Sequence, residues 1–230
     1  MSPATFFRAF LPHRAPVTAA EKLRSGLAGG LAILLLGLAT HYLPQHDYPL
    51  LLITPMASSA ALLYAAPHST FSQPWNLVGG HFVSALCGWV CGWLIPDPVL
   101  AGGLAVGGAI SLSYFMQCLH PPAAATALLM VLSGAQFHGM GGLWTLWIVC
   151  ANVGILLLLA LLINNTIPGR HYPMAVAHPH SEPAMAMEQE DIEWALARMD
   201  SVIDVGTEDL ADIYAMAAER AKARRNSGGK

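Results

Sequence analysis

The sequence predicts an all-α polytopic membrane bundle, and three observations predict it. Hydrophobic residues fill 55% of the 230 positions and charged residues 11%, against about 25% charge in soluble domains. Of the 11 basic and 14 acidic residues, only Asp47 and Asp97 fall between positions 25 and 169. Inside that block the apolar residues form long runs separated by proline- and glycine-rich turns.

The runs cover 27–42, 50–66, 75–95, 99–119, 121–132 and 143–163. A helix needs roughly 20 residues to cross the hydrocarbon layer. The first (extended back to Leu23), third, fourth and sixth therefore read as spanning helices. The second and fifth are short and each begins beside proline, so they read as very short spans or half-helices. Six crossings, or four crossings with two half-helices, both return the chain to its starting side. Lys and Arg occur only before the first run and from Arg170 onward, which by the positive-inside rule sets both ends in the cytoplasm. A bacterial inner membrane is the expected location, with a homo-oligomer in the lipid bilayer as the expected assembly.

The flanks are expected to be soluble segments: 1–24 before the membrane domain of 25–169, a proline-rich linker over 170–187, and a tail over 188–230. Arg8, Arg14, Lys22 and Arg24 precede the first run with no small-residue cleavage site, which reads as a retained anchor rather than a signal peptide. Phe6, Phe7, Phe10 and Leu11 suit either a surface-lying helix or an unstructured start. In the tail, Ile192, Leu196, Met199 and Ile203 follow helical spacing, and a second helix is expected from Thr207, with acids first and Lys222, Arg224 and Arg225 last. Such a hairpin is too small for its own core and should dock elsewhere.

Several functions are excluded or disfavoured. A net charge of -3 with no basic stripe argues against nucleic acid as a partner. Cys87, Cys91, Cys118 and Cys150 lie in apolar runs, where thiols pack as small residues. The ten histidines include no membrane pair at the i and i+4 spacing of a zinc site, so no metal is expected, and no cofactor is implied. Two isolated acids in turns supply no nucleophile, base and orienter set, so an enzyme is not expected.

The two short runs resemble each other. A shift of 66 residues sets Thr54-Pro55-Met56-Ala57-Ser58-Ser59-Ala60-Ala61-Leu62-Leu63 over His120-Pro121-Pro122-Ala123-Ala124-Ala125-Thr126-Ala127-Leu128-Leu129, with five of ten positions identical. Each short run lies between two long ones, giving two units of three. An odd count per unit makes the second unit enter from the opposite side, the inverted-repeat plan of many secondary transporters. A helix beginning inside the membrane directs unpaired N–H groups and about +0.5 elementary charge at an anion. Thr54 and His120 stand at the N-cap positions, with proline following each. Backbone donors are expected from Met56, Ala57, Ser58 and Ser59 on one side and Ala123, Ala124 and Ala125 on the other, with hydroxyls from Ser58, Ser59 and Thr126. The alternative is that proline-started, alanine-rich helices simply pack closely.

Other polar residues carry competing readings. Asn76 and His81 either line the site or serve structure, Asn76 as a cap and His81 bonded to a carbonyl. His120 either contacts the ligand or couples it to a proton, or holds the half-helix as a neutral cap. Gln117 is placed to bond across to the other unit. Gln73, His68 and Ser69 are expected to shape a loop or gate, and Ser111 and Ser113 to pack helices. The pairs Gly26/Gly30, Gly88/Gly92 and Gly103/Gly107 are expected to let helices approach closely.

His120-Pro121-Pro122 followed by Ala123-Ala124-Ala125-Thr126-Ala127-Leu128 resembles the signature of the HPP family of integral membrane proteins. Ala66-Pro67-His68-Ser69, then Gln73-Pro74-Trp75-Asn76-Leu77-Val78-Gly79-Gly80-His81, and Asn164-Asn165 ahead of Pro168-Gly169-Arg170 are similar to further blocks of that family, in order, over about residues 20–173. The resemblance implies a small membrane protein with four spanning helices, some of whose relatives transport nitrite. The expected function is thus a transporter or channel for a small monovalent anion, nitrite first. The alternative is a non-transporting receptor or assembly protein that recruits a partner through its tail.

Overall fold

The structure, a computed structural model, describes residues 17–42, 52–133, 142–174 and Tyr214. The aromatic cluster at Phe6, the linker beyond Met174 and, apart from Tyr214, the expected tail hairpin lie outside the described residues. Among the described residues, six α-helices follow in order: α1 (Ala19–His41), α2 (Pro55–Ala65), α3 (Pro74–Leu94), α4 (Pro98–Phe115), α5 (Ala124–Leu132) and α6 (Gly142–Thr166). One 3₁₀ turn, Thr70–Ser72, precedes α3, and another, Pro121–Ala123, leads into α5.

Local chemistry sets the ends. Thr18 Oγ1 accepts the Glu21 N–H at 3.2 Å to start α1, and Asp97 Oδ1 accepts the Leu100 N–H at 2.7 Å to start α4. Proline opens α2, α3 and α4, where its missing N–H costs no helical bond. The expected fourth run reaches residue 119, but α4 stops at Phe115. Gln117 adopts φ 52°, with its N–H on Tyr114 O at 3.1 Å and the Cys118 N–H on Ser113 O at 2.9 Å. This is a Schellman closure, and it turns the chain back toward the bundle.

Four helices among the described residues, α1, α3, α4 and the 144–166 stretch of α6, are long and apolar enough to cross a membrane. At 1.5 Å per residue α2 is about 16 Å long and α5 about 14 Å, roughly half the hydrocarbon thickness. Among the described residues the arrangement is therefore four long helices with two half-length ones.

Successive helices alternate in direction. Gly37 of α1 lies by Leu52 and Gly29 by Tyr64, so α2 runs back along α1. The Ile53 N–H reaches Asn152 Oδ1 at 3.3 Å, and Asn164 Nδ2 reaches Leu63 O at 3.3 Å, so α2 and α6 run the same way. Gly80 meets His120 and Gly88 meets Met130, so α5 ascends beside α3.

The first core cluster joins α1, α2, α3 and α6 through residues such as Leu36, Met56, Leu63, Leu77 and Leu156. In α1 the buried set Ala28, Ala32, Leu36 and Thr40 recurs every four residues, while Leu23, Leu27, Leu31 and Leu34 stay exposed as a lipid-facing surface. A second cluster, Ala101, Ala105, Ala109, Ala127 and Val131, joins α4 to α5. Small residues suit both seams, because helices in lipid gain stability from close packing rather than from expelling water.

The glycine pairs behave differently from expectation. A Cβ on Gly88 would stand 2.4 Å from Ala127 O, so Gly88 does admit α5. Gly26, Gly30, Gly103 and Gly107 have open space where a side chain would go, so neither of these pairs joins helices among the described residues. Gly26 and Gly30, with Gly29, Ala57, Ala61 and Ala65, instead line an apolar groove of about 710 Å³ between α1 and α2.

Candidate functional site

The polar centre of the bundle forms where α2 crosses the segment leading into α5. Ser59, His81, His120 and Thr126 are all buried there, contributed by α2, α3, the loop before Pro121–Ala123, and α5. Ser59 Oγ lies 2.9 Å from His81 Nε2 and 3.0 Å from His120 Nε2. His81 Nδ1 lies 2.8 Å from Thr126 Oγ1, and His120 Nδ1 lies 2.7 Å from Phe71 O. The two imidazole centroids are 5.2 Å apart. His120 sits against Gly80, six residues and about 9 Å along α3 from Pro74. A Cβ on Gly80 would fall 2.8 Å from that of His120, so glycine is what lets the ring approach.

The loop carrying His120 is held from outside. Asn76 Nδ2 donates to Leu119 O at 2.8 Å and Trp75 Nε1 donates to Met116 O at 3.2 Å. Asn76 is thus not the cap of α3, which is Gln73; it braces the peptide between Leu119 and His120. Beside His120 lies a cavity of about 230 Å³ between α3, α4 and the α5 segment, lined by Ser84, Ser113 and Ala124 among others. Ser84, one turn along α3 from His81, escaped the sequence reading, although i and i+3 residues share a helix face. Ser113, expected only to pack, is buried and lines this cavity, whereas Ser111 is exposed.

The expected backbone donors are corrected by this geometry. The Met56 N–H is bonded to Ile53 O and the Ala57 N–H to Thr54 O, both at 3.1 Å. The Ala123 N–H is bonded to His120 O at 2.8 Å, and the Ala124 N–H meets Pro121 and Pro122 carbonyls. Short 3₁₀-type closures consume the donors that a regular α-helical start would leave open. Neither Thr54 nor His120 makes a side-chain cap. Thr54, Ala57, Ser58 and Ala125 are exposed, and Ser58 Oγ donates to its own helix at Pro55 O, 2.9 Å away. Gln117 is exposed in the α4 turn and does not reach the other unit. Of the expected lining, Ser59, His81, His120 and Thr126 come together, and Ala124 lines the adjoining cavity.

The proline-bounded loop shapes itself, as expected. Gln73 Nε2 donates to Ser69 O at 2.8 Å and Pro67 O at 3.2 Å, and Ser69 Oγ accepts the Phe71 N–H at 3.3 Å. His68 Nε2 accepts the His171 N–H at a long 3.5 Å. All four cysteines are free thiols.

A family model described as the HPP transmembrane region matches residues 14–173. The chain belongs to the HPP family. Two transmembrane proteins of Dictyostelium discoideum are similar to it. One is 34% identical over 65% of this chain and 49% of its own length; the other is 35% identical over 70% of this chain and 58% of its own length. The chain therefore spans about half the length of the curated relatives it matches. No solved structure matches it.

The HPP region closes on a clamp that the sequence reading missed. Arg170 is buried after α6 and pairs with Glu21 in the first turn of α1. Its Nη1 also donates to Asn164 Oδ1 at 3.0 Å and its Nη2 to Ser25 Oγ at 2.8 Å. Tyr172 Oη donates to Ser72 O at 2.8 Å and Met174 N–H to Gln73 Oε1 at 2.9 Å. These bonds fasten the ends of α1 and α6 to the loop whose Phe71 carbonyl receives His120. Glu21 and Arg170 flank the charge-poor block from either side, which was the available signal that they could meet.

Proposed function

We propose that this HPP protein moves a small monovalent anion across the membrane past His120, nitrite being the first substrate to test. What carries the reading is the buried Ser59–His81–His120–Thr126 cluster at the crossing of two half-length helices. Polar side chains within a bundle are costly and mark transport paths by default. The adjoining cavity is small and offers hydroxyls from Ser84 and Ser113, which suits a compact anion over a metabolite. Side chains take the place of the backbone donors expected from sequence.

The alternating helix directions support reading 19–94 and 98–166 as two oppositely inserted units, with both flanks in the cytoplasm and Asp97 outside. Single-cysteine labelling at Asp97 and at His171 in closed cells checks this: opposite accessibility is expected, and labelling of both from one side would refute it. Function is checked in liposomes holding only this protein. Nitrite uptake above that of empty vesicles is expected, falling about tenfold in His120→Ala, as for one lost hydrogen bond to a charged group. Absence of uptake of nitrite, formate and chloride alike would overturn the reading.

A further inference from the structure

With both rings neutral, matching donors to acceptors around Ser59 assigns one proton to each histidine. Phe71 O can only accept, so His120 Nδ1 carries a hydrogen and, in the neutral ring, Nε2 is an acceptor. Ser59 O–H must then donate to His120 Nε2. Having spent its one hydrogen, Ser59 Oγ accepts from His81 Nε2–H, which leaves His81 Nδ1 to accept the Thr126 O–H. The four bonds thus form one directed chain, Thr126 to His81 to Ser59 to His120 to Phe71 O, with the two imidazoles in opposite tautomers.

Ser59 has a second acceptor in place. Pro55 O lies 3.1 Å from its Oγ. If His120 Nε2 gains a proton, that N–H can donate to Ser59 Oγ at the existing 3.0 Å, while the Ser59 O–H turns to Pro55 O. Ser59 Oγ then accepts from both histidines and donates once, and no heavy atom need move. One proton is gained, no bond between heavy atoms breaks, and the ring carries one positive charge.

Among the described residues, no charged side chain stands beside that charge. The titratable groups around His120 there are His81 on α3, Tyr114 on α4 across the shared cavity, and Cys118 on its own loop. α2 presents Ser59, and the Thr70–Ser72 turn presents a carbonyl. No Asp, Glu, Lys or Arg lies on these elements, the nearest in sequence being Asp97 at the opposite end of α4. An unpaired charge inside the bilayer is costly, so the neutralising partner is an anion in the adjacent cavity.

We propose that Ser59 is a two-position hydroxyl switch that ties one proton to each anion passing His120, making transport electroneutral. This rests on the anion-transport reading above. Two measurements test it and separate the two ideas. In proteoliposomes with an internal pH dye and an imposed potassium-diffusion potential, nitrite uptake should carry one proton per anion and ignore the potential. Ser59→Ala should lower that ratio toward zero and Ser59→Thr restore it. Uptake that follows the potential with no proton movement, or an unchanged ratio in Ser59→Ala, overturns the switch and leaves the anion path standing. The second readout needs no flux: ¹⁵N-histidine NMR of the full-length native protein in lipid, with His81→Gln and His120→Gln assigning the signals. One Nε2–H ring for His81 and one Nδ1–H ring for His120 are expected, with His120 becoming doubly protonated when nitrite is added. Matching tautomers, or a His120 ring that nitrite leaves unchanged, overturn it.

Discussion

Gly80→Ala is the sharpest probe of how the histidine centre is packed. An added Cβ would stand 2.8 Å from Cys118 O, 2.8 Å from His120 Cβ and 3.3 Å from His120 N. Two of these are backbone atoms, so no flexible side-chain end can give way. Restoring ordinary contact requires a shift of about 0.6 Å. A displacement of His120 by that amount would stretch its 3.0 Å bond to Ser59 to about 3.6 Å, beyond hydrogen bonding. Overpacking costs about 1–3 kcal/mol and each lost bond about 1 kcal/mol, so about 2–4 kcal/mol is expected in all. For a chain of this length that lowers Tm by about 5–15 °C. Gly103→Ala is the matched control, because a Cβ there meets open space and helix propensity alone favours alanine by up to about 1 kcal/mol. Thermal unfolding of both variants in detergent, alongside nitrite flux, gives the comparison. If Gly80→Ala unfolds no earlier than Gly103→Ala and keeps native flux, the close approach of α3 to His120 is not what holds the site.

Further predictions concern the clamp and the α4 turn. Arg170→Met leaves the buried Glu21 with only the exposed Arg24, 3.9 Å away, and a loss toward the lower end of the about 3–5 kcal/mol that follows from breaking a buried pair on one side is expected; Glu21→Gln added to Arg170→Met should recover part of it, and strictly additive effects on unfolding would contradict the pairing. Gln117→Gly relieves the positive φ at the Schellman position and should be neutral or raise stability by up to about 1 kcal/mol with flux intact; a loss of flux would return Gln117 to the site.

The charge-poor block, the six apolar runs and the proline starts determined a helical membrane bundle of four long and two short elements, since hydropathy and proline chemistry act along the chain. His120, Ser59, His81 and Thr126 were also legible as candidates, because polar residues are rare in such runs and each is conspicuous. Three decisions belonged to the tertiary structure. Donor availability at the half-helix starts depended on local 3₁₀ closure, so Met56, Ala57, Ala123 and Ala124 spend their N–H groups on nearby carbonyls. Helix rotation turned Ser58 and Ser59, adjacent in sequence, to opposite environments and left Gly26, Gly30, Gly103 and Gly107 facing outward. The meeting of Glu21 with Arg170 and of His81 with His120 joins residues 149 and 39 positions apart, and chain-local patterns carry no information about partners brought together only by packing.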